Sequence, residues 1–254
     1  MIIYLFTYNT KLIYCVVYTL KSTKMPKNKA SPLEKWFSDD ASIEIGVDEV
    51  GRGPMLGRVY SAAVILPKDD IFEHDLMKDS KRFHSEKKIK EAAEYIKKHA
   101  IAWGIGYIDE GIVDDINIRQ ATYRAMHMAI RECFHAFAHE DKHKDTISFH
   151  ILVDGSGFKP YTVMQGEYGL VQIPHTSIIG GDDKYTSIAA ASILAKVSRD
   201  EYIRELCKTD STLDERYGLL KNKGYGTTAH MDGIKEYGIS KYHRRSFGIC
   251  RQYE

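Results

Sequence analysis

The chain has few cysteines, and their spacing does not suggest a metal site or a disulfide framework. Cys15, Cys133, Cys207 and Cys250 are widely separated, and no Cys-x-x-Cys pair occurs. Internal repeats are absent as well. We therefore expect free thiols in a reducing compartment, and a globular protein without structural zinc.

The chain also lacks a segment that predicts a membrane span or a secretion signal. Residues 1–20 are rich in Ile, Tyr, Val and Leu, but Asn9, Thr10 and Lys11 interrupt them. The ordered regions of a signal peptide are missing. Because Met25 opens a basic segment typical of a natural start, we expect residues 1–24 to be an upstream extension or the product of a mis-set start codon. A weak membrane anchor is the alternative.

A strong net charge is absent too. The formal charge is +1, so no global basic field predicts nucleic-acid binding. The charge is uneven, however, because residues 221–251 hold seven Lys/Arg against two Asp/Glu, a local excess of +5. Such a patch offsets the repulsion between acidic catalytic residues and a polyanionic substrate, and a merely solvated surface is the alternative.

The most informative segment that is present is residues 45–57. An apolar run there ends in Asp48 and Glu49, directly before a Gly-Arg-Gly-Pro turn. Carboxylates at the end of a strand that excludes water need a charge partner, and their oxygens suit hard cations such as Mg2+. Glycine lets the backbone approach a ligand, and Arg52 is available for phosphate. The segment indicates a metal-dependent phosphoryl-transfer site; taken alone, the two acids could also be solvated.

Two later segments carry further acids. The apolar run 147–153 ends in Asp154, and Asp182 precedes a helix made largely of Ala, Ser and aliphatic residues. Small side chains let such a helix pack closely on a sheet, which brings its first turn near the strand ends. The acids expected to converge are therefore Asp48, Glu49, Asp154 and Asp182. The alternatives are a turn residue for Asp154 and an acid favoured by a helix N-terminus for Asp182.

These segments and several others give the chain a resemblance to type 2 ribonuclease H (ribonuclease HII), in the single-subunit form typical of bacteria. The matching blocks cover about residues 42–249; they are 48–54, 79–81, 116–122, 153–155, 187–200, 224–227 and 243–247. No block is specific by itself. The set, in this order, is highly specific.

Patterning alone favours an α/β domain with a mixed sheet. Strands are predicted over 43–49, 59–66, 100–108 and 146–153, helices over 85–98 and 112–137, and two short strands within 162–179. The resemblance implies the ribonuclease H-like fold, a mixed five-stranded sheet flanked by helices, with a C-terminal helical part. We expect an N-terminal extension and linker over 1–32, a catalytic domain over 33–208 and a substrate-binding part over 209–254.

The resemblance also implies an activity. It is that of an endonuclease that hydrolyses the RNA strand of RNA/DNA hybrids and cuts 5′ of single ribonucleotides embedded in duplex DNA. Two Mg2+ or Mn2+ ions would be held by the four acids, Asp48, Glu49, Asp154 and Asp182. The implied partners are the hybrid and the ribonucleotide-containing duplex. We expect a cytoplasmic monomer with no obligate protein partner and no membrane attachment.

Substrate contacts carry over by position. The 2′-hydroxyl that distinguishes RNA both donates and accepts a hydrogen bond. The family reads it with the turn that matches Gly51, Arg52 and Gly53 and with a tyrosine that matches Tyr225. Further expected contacts are the cations Lys81, Lys196 and Arg199, the polar neighbours Ser80, Asn117 and Ser192, and a basic face supported by His243, Arg244 and Arg245. Lys196 and Arg199 could instead extend from a buried helix in a structural role.

Several departures and alternatives remain open. Gly180 stands where the family usually has lysine, and Arg58 stands where proline is common. His135, His139 and His143 lie four apart and could line one helix face as metal ligands, although their charged neighbours favour an exposed helix end. The alternatives for function are a catalytically silent nucleic-acid-binding protein of the same fold and a metal-dependent phosphatase for small esters.

Overall fold

A computed structural model of the chain describes residues 4–8, 11–15, 32–40, 42–69, 71–83, 85–140, 148–164 and 169–253. The chain divides into two units, Met1–Pro32 and Leu33–Glu254. In the first unit, β1 (Tyr4–Tyr8) and β2 (Lys11–Cys15) pair in antiparallel fashion. Residues 16–31 of the predicted extension and linker lie outside the described ranges. Within those ranges, no helix is long and apolar enough to cross a membrane.

The second unit is built on a five-stranded sheet. Its strands, in spatial order, are β5 (Ala102–Ile108), β4 (Val59–Ile65), β3 (Ile43–Val50), β6 (Phe149–Asp154) and β9 (His175–Ile178). β4 runs antiparallel to both β3 and β5, whereas β3, β6 and β9 are parallel. The predicted mixed sheet is confirmed. Because β3 and β6 are parallel neighbours, their carboxyl ends lie at the same edge.

Helices cover both faces of this sheet. On one face α4 (Thr186–Thr209) packs on β3 and β4, with α1 (Glu86–His99) beside it; α3 (Ile118–Glu140) covers the other face. A Cβ added to Gly46 of β3 would lie 2.2 Å from the carbonyl carbon of Ser187. The predicted close approach of the small-residue helix is therefore confirmed, and it brings the start of α4 to the ends of the strands.

A helical part completes the chain, as predicted. It consists of α5 (Thr212–Tyr217), α6 (Leu219–Asn222) and α7 (Thr228–Tyr237), and α2 (Glu110–Ile116) lies before α3. A separate apolar cluster that includes Leu213, Tyr217 and Ile234 holds this part to the end of α4 and to Met55 and Leu56. The C-terminal part thus packs directly on the turn that follows β3.

The segment 162–179 differs from its prediction. It contains three strands rather than two: β7 (Thr162–Met164) pairs with β8 (Leu170–Gln172), and β9 joins the central sheet. Pro174 lies between β8 and β9, and proline has no amide hydrogen for a continuous strand ladder. The break lets the chain leave the small β-ribbon and enter the large sheet.

Two buried histidines form a hydrogen-bonded chain in the C-terminal part. The Ser240 amide donates to His243 Nδ1 (2.9 Å), so His243 carries its proton on Nε2 and donates to His230 Nε2 (3.0 Å). The Nδ1 of His230 then donates to the carbonyl of Tyr225 (3.0 Å). Burial, together with the neighbouring His230, lowers the pKa of His243 to about 3, and burial also lowers the pKa of His230. Both shifts favour the neutral rings that this hydrogen-bonded chain requires.

This depressed pKa predicts a loss of stability in acid. Below its ordinary pKa of about 6.5 the unfolded His243 binds a proton that the folded form rejects, so the free energy of unfolding falls as the pH drops from about 6.5 toward 3. Between pH 7.5 and 5.5 this contribution amounts to about 1.4 kcal/mol. In urea denaturation the stability gap between wild type and His243→Gln should narrow by roughly that amount. The exposed His135→Gln control should track wild type, and a constant gap for His243→Gln would contradict the assignment.

Candidate active site

Three carboxylates meet where the parallel strands end. Asp48 lies near the end of β3 and Asp154 ends β6, and the strands are paired through Val47 and Val153. Asp182 lies in the 3-10 turn Gly181–Asp183 between β9 and α4. One oxygen from each of the three acids falls within 4.8 Å of the others. We call Asp48, Asp154 and Asp182 the acid cluster.

The turn that carries Asp182 is fastened to β6. The Gly181 amide donates to Asp154 Oδ1 (2.7 Å), and Gly180 adopts the left-handed conformation, with φ of 64°. Lysine, which the family usually has at this position, would be strained in this backbone, whereas glycine is not. Lys81 approaches from another element, with its Nζ 3.4 Å from Asp182 Oδ2. Lys81 thus places a cation at the rim of the cluster.

Glu49, the fourth predicted acid, lies beside the cluster and not in it. Its Oε1 accepts a hydrogen bond from Arg52 Nη1 (3.2 Å). It lines two cavities together with Asp154. The fold therefore brings three of the four predicted acids into one group. The fourth lies next to them and is held by an arginine of the following turn.

The electrostatics of these acids favour binding of a cation. Burial, together with Glu49 and Asp154, raises the pKa of Asp48 well above its usual range. Burial also raises the pKa of Glu49 against the opposing effect of Arg52, and it raises the pKa of Asp182 with help from Asp154 and Asp79. A set of hard oxygen donors with excess negative charge fits a divalent cation such as Mg2+ or Mn2+.

A cavity of about 300 Å3 opens beside the acids, and we call it the first cavity. It gathers nine of the ten residues that were individually predicted to contact the substrate: Gly51, Arg52, Gly53, Ser80, Lys81, Ser192, Lys196, Arg199 and Tyr225. Ser80 Oγ and Ser192 Oγ are hydrogen-bonded (3.0 Å), and Lys196 pairs with Asp200. The ring of Tyr225 covers Gly53, with Cε1 3.4 Å from the place of a Cβ. These blocks are far apart in sequence and become one wall only in the fold.

Asn117, the tenth of these residues, does not line the first cavity. It has a φ of 66°, and its Oδ1 accepts from the amides of Arg119 and Gln120. This is a cap at the start of α3, which satisfies amides that a helix leaves unpaired. Its side chain is therefore occupied in helix capping.

Two arginines predicted to face the substrate are buried instead. Arg199 and Arg244 are 1% and 0% exposed, and their guanidinium groups donate to backbone carbonyls of the glycine turn, residues 51–58. The carbonyl partners of Arg199 fit the structural role that the sequence left open, although Arg199 also lines the first cavity. His243 is buried as well, so Arg245 is the exposed member of the predicted basic trio.

A second cavity of about 300 Å3 lies on the other side of the acids. It shares Glu49, Arg52 and Asp154 with the first cavity, and α3 adds the exposed Arg119 and the half-buried Tyr123. Sequence reasoning assigned no role to these two, although Arg119 falls in a matching block. A larger cavity of about 890 Å3 beside β5 is lined by none of the predicted acids or substrate contacts, although His135 lies at its wall.

Comparison with known proteins identifies the family of this chain. A sequence model of ribonuclease HII matches residues 45–250. The chain belongs to the ribonuclease HII family. It is 41% identical to ribonuclease HII of Parabacteroides distasonis, over 84% of this chain and 94% of that one. It is 42% identical to that of Bacteroides fragilis, over 84% and 92%.

Solved structures agree with the fold. Ribonuclease H2 from Pyrococcus horikoshii superimposes with a TM-score of 0.60 at 19% identity, over 82% of this chain and 95% of that one. Ribonuclease HII from Archaeoglobus fulgidus, solved in complex with PCNA, gives 0.54 at 21% identity, over 82% and 96%. As a member of the ribonuclease HII family, this chain is a metal-dependent endoribonuclease acting on RNA/DNA hybrids.

The first glycine of the turn is predicted to matter more for stability than Gly155, a glycine with a similar φ. Gly51 has a φ of 91°, and a Cβ there would lie 2.3 Å from Nε of Arg199; Gly155 has a φ of 90° with nothing within 4 Å. Gly155→Ala should therefore cost only the backbone strain, about 1–3 kcal/mol. Gly51→Ala carries the same strain and a clash with a buried arginine, and should cost clearly more. Equal losses in urea denaturation would show that the contact with Arg199 does not matter.

Proposed function

We propose that this ribonuclease HII cuts the strand 5′ of a ribonucleotide in duplex DNA, as well as the RNA strand of hybrids, by two-metal-ion catalysis. The observation that carries the proposal is the position of the acid cluster directly beside the glycine turn and Tyr225. One wall of the first cavity suits a scissile phosphate, and the opposite wall suits a sugar. The products are a 3′-hydroxyl and a 5′-phosphate.

The metal ligands in this proposal are Asp48, Asp154 and Asp182, with Glu49 completing the set. Mg2+ or Mn2+ bound there would lower the pKa of an attacking water and stabilise the leaving oxygen. The acids are held by the backbone that carries them, since Asp154 accepts from the Gly181 amide and Asp48 ends the buried run 44–48 of β3. A preformed set of donors avoids the cost of reorganisation during the reaction.

The substrate is held, in this proposal, by groups around the first cavity. Lys81 is 78% exposed in its side chain and lies at the rim of the cluster, where it suits a phosphate oxygen. Arg52 offers a second cation, already turned toward Glu49. Tyr225 is 47% exposed and lies over Gly53, a position from which its ring can stack on the sugar next to the ribonucleotide.

The second cavity gives the cleaved strand a path beyond the acids. A polynucleotide must continue on both sides of the scissile phosphate, and this cavity shares Glu49 and Asp154 with the first. Arg119 lies at its wall and is exposed. A neighbouring phosphate of the same strand is its proposed partner.

The proposed division of labour follows the chain. Residues 33–208 supply the acids, and residues 209–254 supply Tyr225 and the helices behind it; α4 ends at Thr209, beside that boundary. The acids and both cavities are formed within one chain, which supports an active monomer. Cys133, Cys207 and Cys250 are free thiols, which suits the proposed cytoplasmic location.

Two adjacent acids provide a sharp test of the site. Asp182 belongs to the cluster, whereas Asp183 pairs with Arg82 (3.0 Å) on the surface, where both side chains are more than 40% exposed. On an end-labelled DNA duplex with one ribonucleotide, Asp182→Asn should lower kcat/KM by about 100-fold or more, because a metal ligand supports several kcal/mol of transition-state stabilisation. Asp183→Asn should stay within about threefold of wild type.

The same assay tests the cut site. Wild type should cut on the 5′ side of the ribonucleotide and leave a 5′-phosphate on it. A cut on the 3′ side, or an equal loss of activity in the two variants, would overturn the proposal.

A further inference from the structure

Arg199 and Arg244 are buried cations without acidic partners. Among the described residues, no carboxylate oxygen lies within 4.0 Å of either guanidinium group. A buried charge is costly unless its hydrogen bonds are satisfied. Backbone carbonyls satisfy them here, and most of those carbonyls belong to the glycine turn.

Arg244 binds the inner side of the turn at four points. Its Nη2 donates to the carbonyl of Gly51 (2.7 Å), its Nη1 to those of Arg52 (3.1 Å) and Pro54 (2.9 Å), and its Nε to that of Gly57 (2.8 Å). Four carbonyls of a short turn thus point at one planar group. The guanidinium group acts as a fixed template for the turn.

This arrangement sets the direction of the amides. In a trans peptide the N–H points away from the preceding carbonyl. Because the carbonyls of Gly51 and Arg52 point inward, the amides of Arg52 and Gly53 point outward. Both residues are exposed and line the first cavity. Neither amide has an acceptor among the described residues. Two hydrogen-bond donors are therefore available on the cavity side.

The next amides of the turn are used differently. Those of Met55 and Gly57 donate to the carbonyls of Gly224 and Tyr242 (both 2.8 Å). They fasten the turn to the C-terminal part. The amides of Arg52 and Gly53 therefore differ from those of Met55 and Gly57, because they face the cavity beside Tyr225 instead of the C-terminal part.

Arg199 links the turn to that tyrosine. Its Nε and Nη2 donate to the carbonyls of Arg58 and Leu56 (both 3.1 Å), and its Nη1 donates to the carbonyl of Lys223 (2.9 Å). Lys223 is two residues before Tyr225. A single buried guanidinium group therefore fixes the separation between the turn and the ring that covers Gly53.

We propose that Arg199 and Arg244 are positioning residues for ribose selection: they hold the carbonyls of the turn inward, so that the amides of Arg52 and Gly53 are left to donate to the 2′-hydroxyl of the ribonucleotide. This inference rests on the proposed function. The two arginines do not touch the substrate; they act through the direction of the amides and the distance to Tyr225.

The test measures selectivity and not activity alone. In an Asp48→Asn background, which limits cleavage, fluorescence anisotropy gives Kd for a DNA duplex with one ribonucleotide and for the same duplex with a 2′-fluoro nucleotide. Arg244→Lys and Arg199→Lys keep the charge, but one ammonium group cannot serve three or four carbonyls in a plane. Each should reduce the selectivity for ribose by about tenfold, the effect of one or two hydrogen bonds.

The matched control is Ile96→Ala, which removes a fully buried side chain from an apolar cluster that contains no residue of the glycine turn. This variant should raise Kd for both duplexes in proportion and leave the ratio of the two Kd values unchanged. If the parent prefers ribose and both lysine variants keep its ratio, the positioning role is overturned while the proposed function stands. If the parent shows no preference, ribose selection at this turn fails, and the inference fails with it.

A second measurement needs no arginine variant, which covers the case in which those variants do not fold. The amide signals of Arg52 and Gly53 in the Asp48→Asn protein should shift further with the ribonucleotide duplex than with the 2′-fluoro duplex. Equal shifts of both amides with the two duplexes would overturn the inference.

Discussion

Repulsion among carboxylates held within 4.8 Å of one another is the constraint on which the rest of this structure depends. Asp48 and Asp154 are near each other because β3 and β6 are parallel neighbours, and Asp182 joins them because a glycine-led turn is fastened to Asp154. Burial, with a smaller contribution from the neighbouring carboxylates, raises the pKa of Asp48, Glu49 and Asp182. The folded chain is therefore prepared for divalent cations.

Two positive charges, those of Arg199 and Arg244, are buried on the other side of the first cavity. Two buried guanidinium groups meet backbone dipoles instead of acids, and burial lowers the pKa of both. A carboxylate in that place would neutralise the arginines and leave the carbonyls of the turn without donors. Using carbonyls instead gives the turn one orientation. In our proposal, the site thus combines an acidic wall that fits a metal ion with outward-facing amides that bind the sugar.

Much of this was predictable from the sequence, for local reasons. The strands that carry Asp48 and Asp154 are predicted by apolar runs that end in an acid close to a glycine. The small residues of the helix that follows Asp182 predict its close packing on the sheet. Asp182 was separable from Asp183 only through the resemblance to a family. The extra strand β9 was missed because the segment is short and Pro174 interrupts its pattern.

The arginines could not be assigned from sequence, because burial is a property of the whole fold. Arg244 sits in a run of His, Arg and Arg that is typical of a basic surface, yet only Arg245 of the two arginines is exposed. The cap at Asn117 was hidden in the same way, since its positive φ follows from the break between α2 and α3. Arg119 and Tyr123 were overlooked because the second cavity forms between α3 and the end of β6, which are distant in sequence.

The most direct measurement of the central claim is the thermal stability of wild type and Asp48→Asn with and without Mg2+ or Mn2+. Removing one of the crowded charges should raise the melting temperature of the metal-free protein. Saturating metal should raise the melting temperature of wild type and have little effect on that of the variant. At a hundred times Kd, the gain in the free energy of unfolding of wild type is about 2.7 kcal/mol. A metal-free variant less stable than wild type, or a wild type that does not respond to metal, would contradict the account.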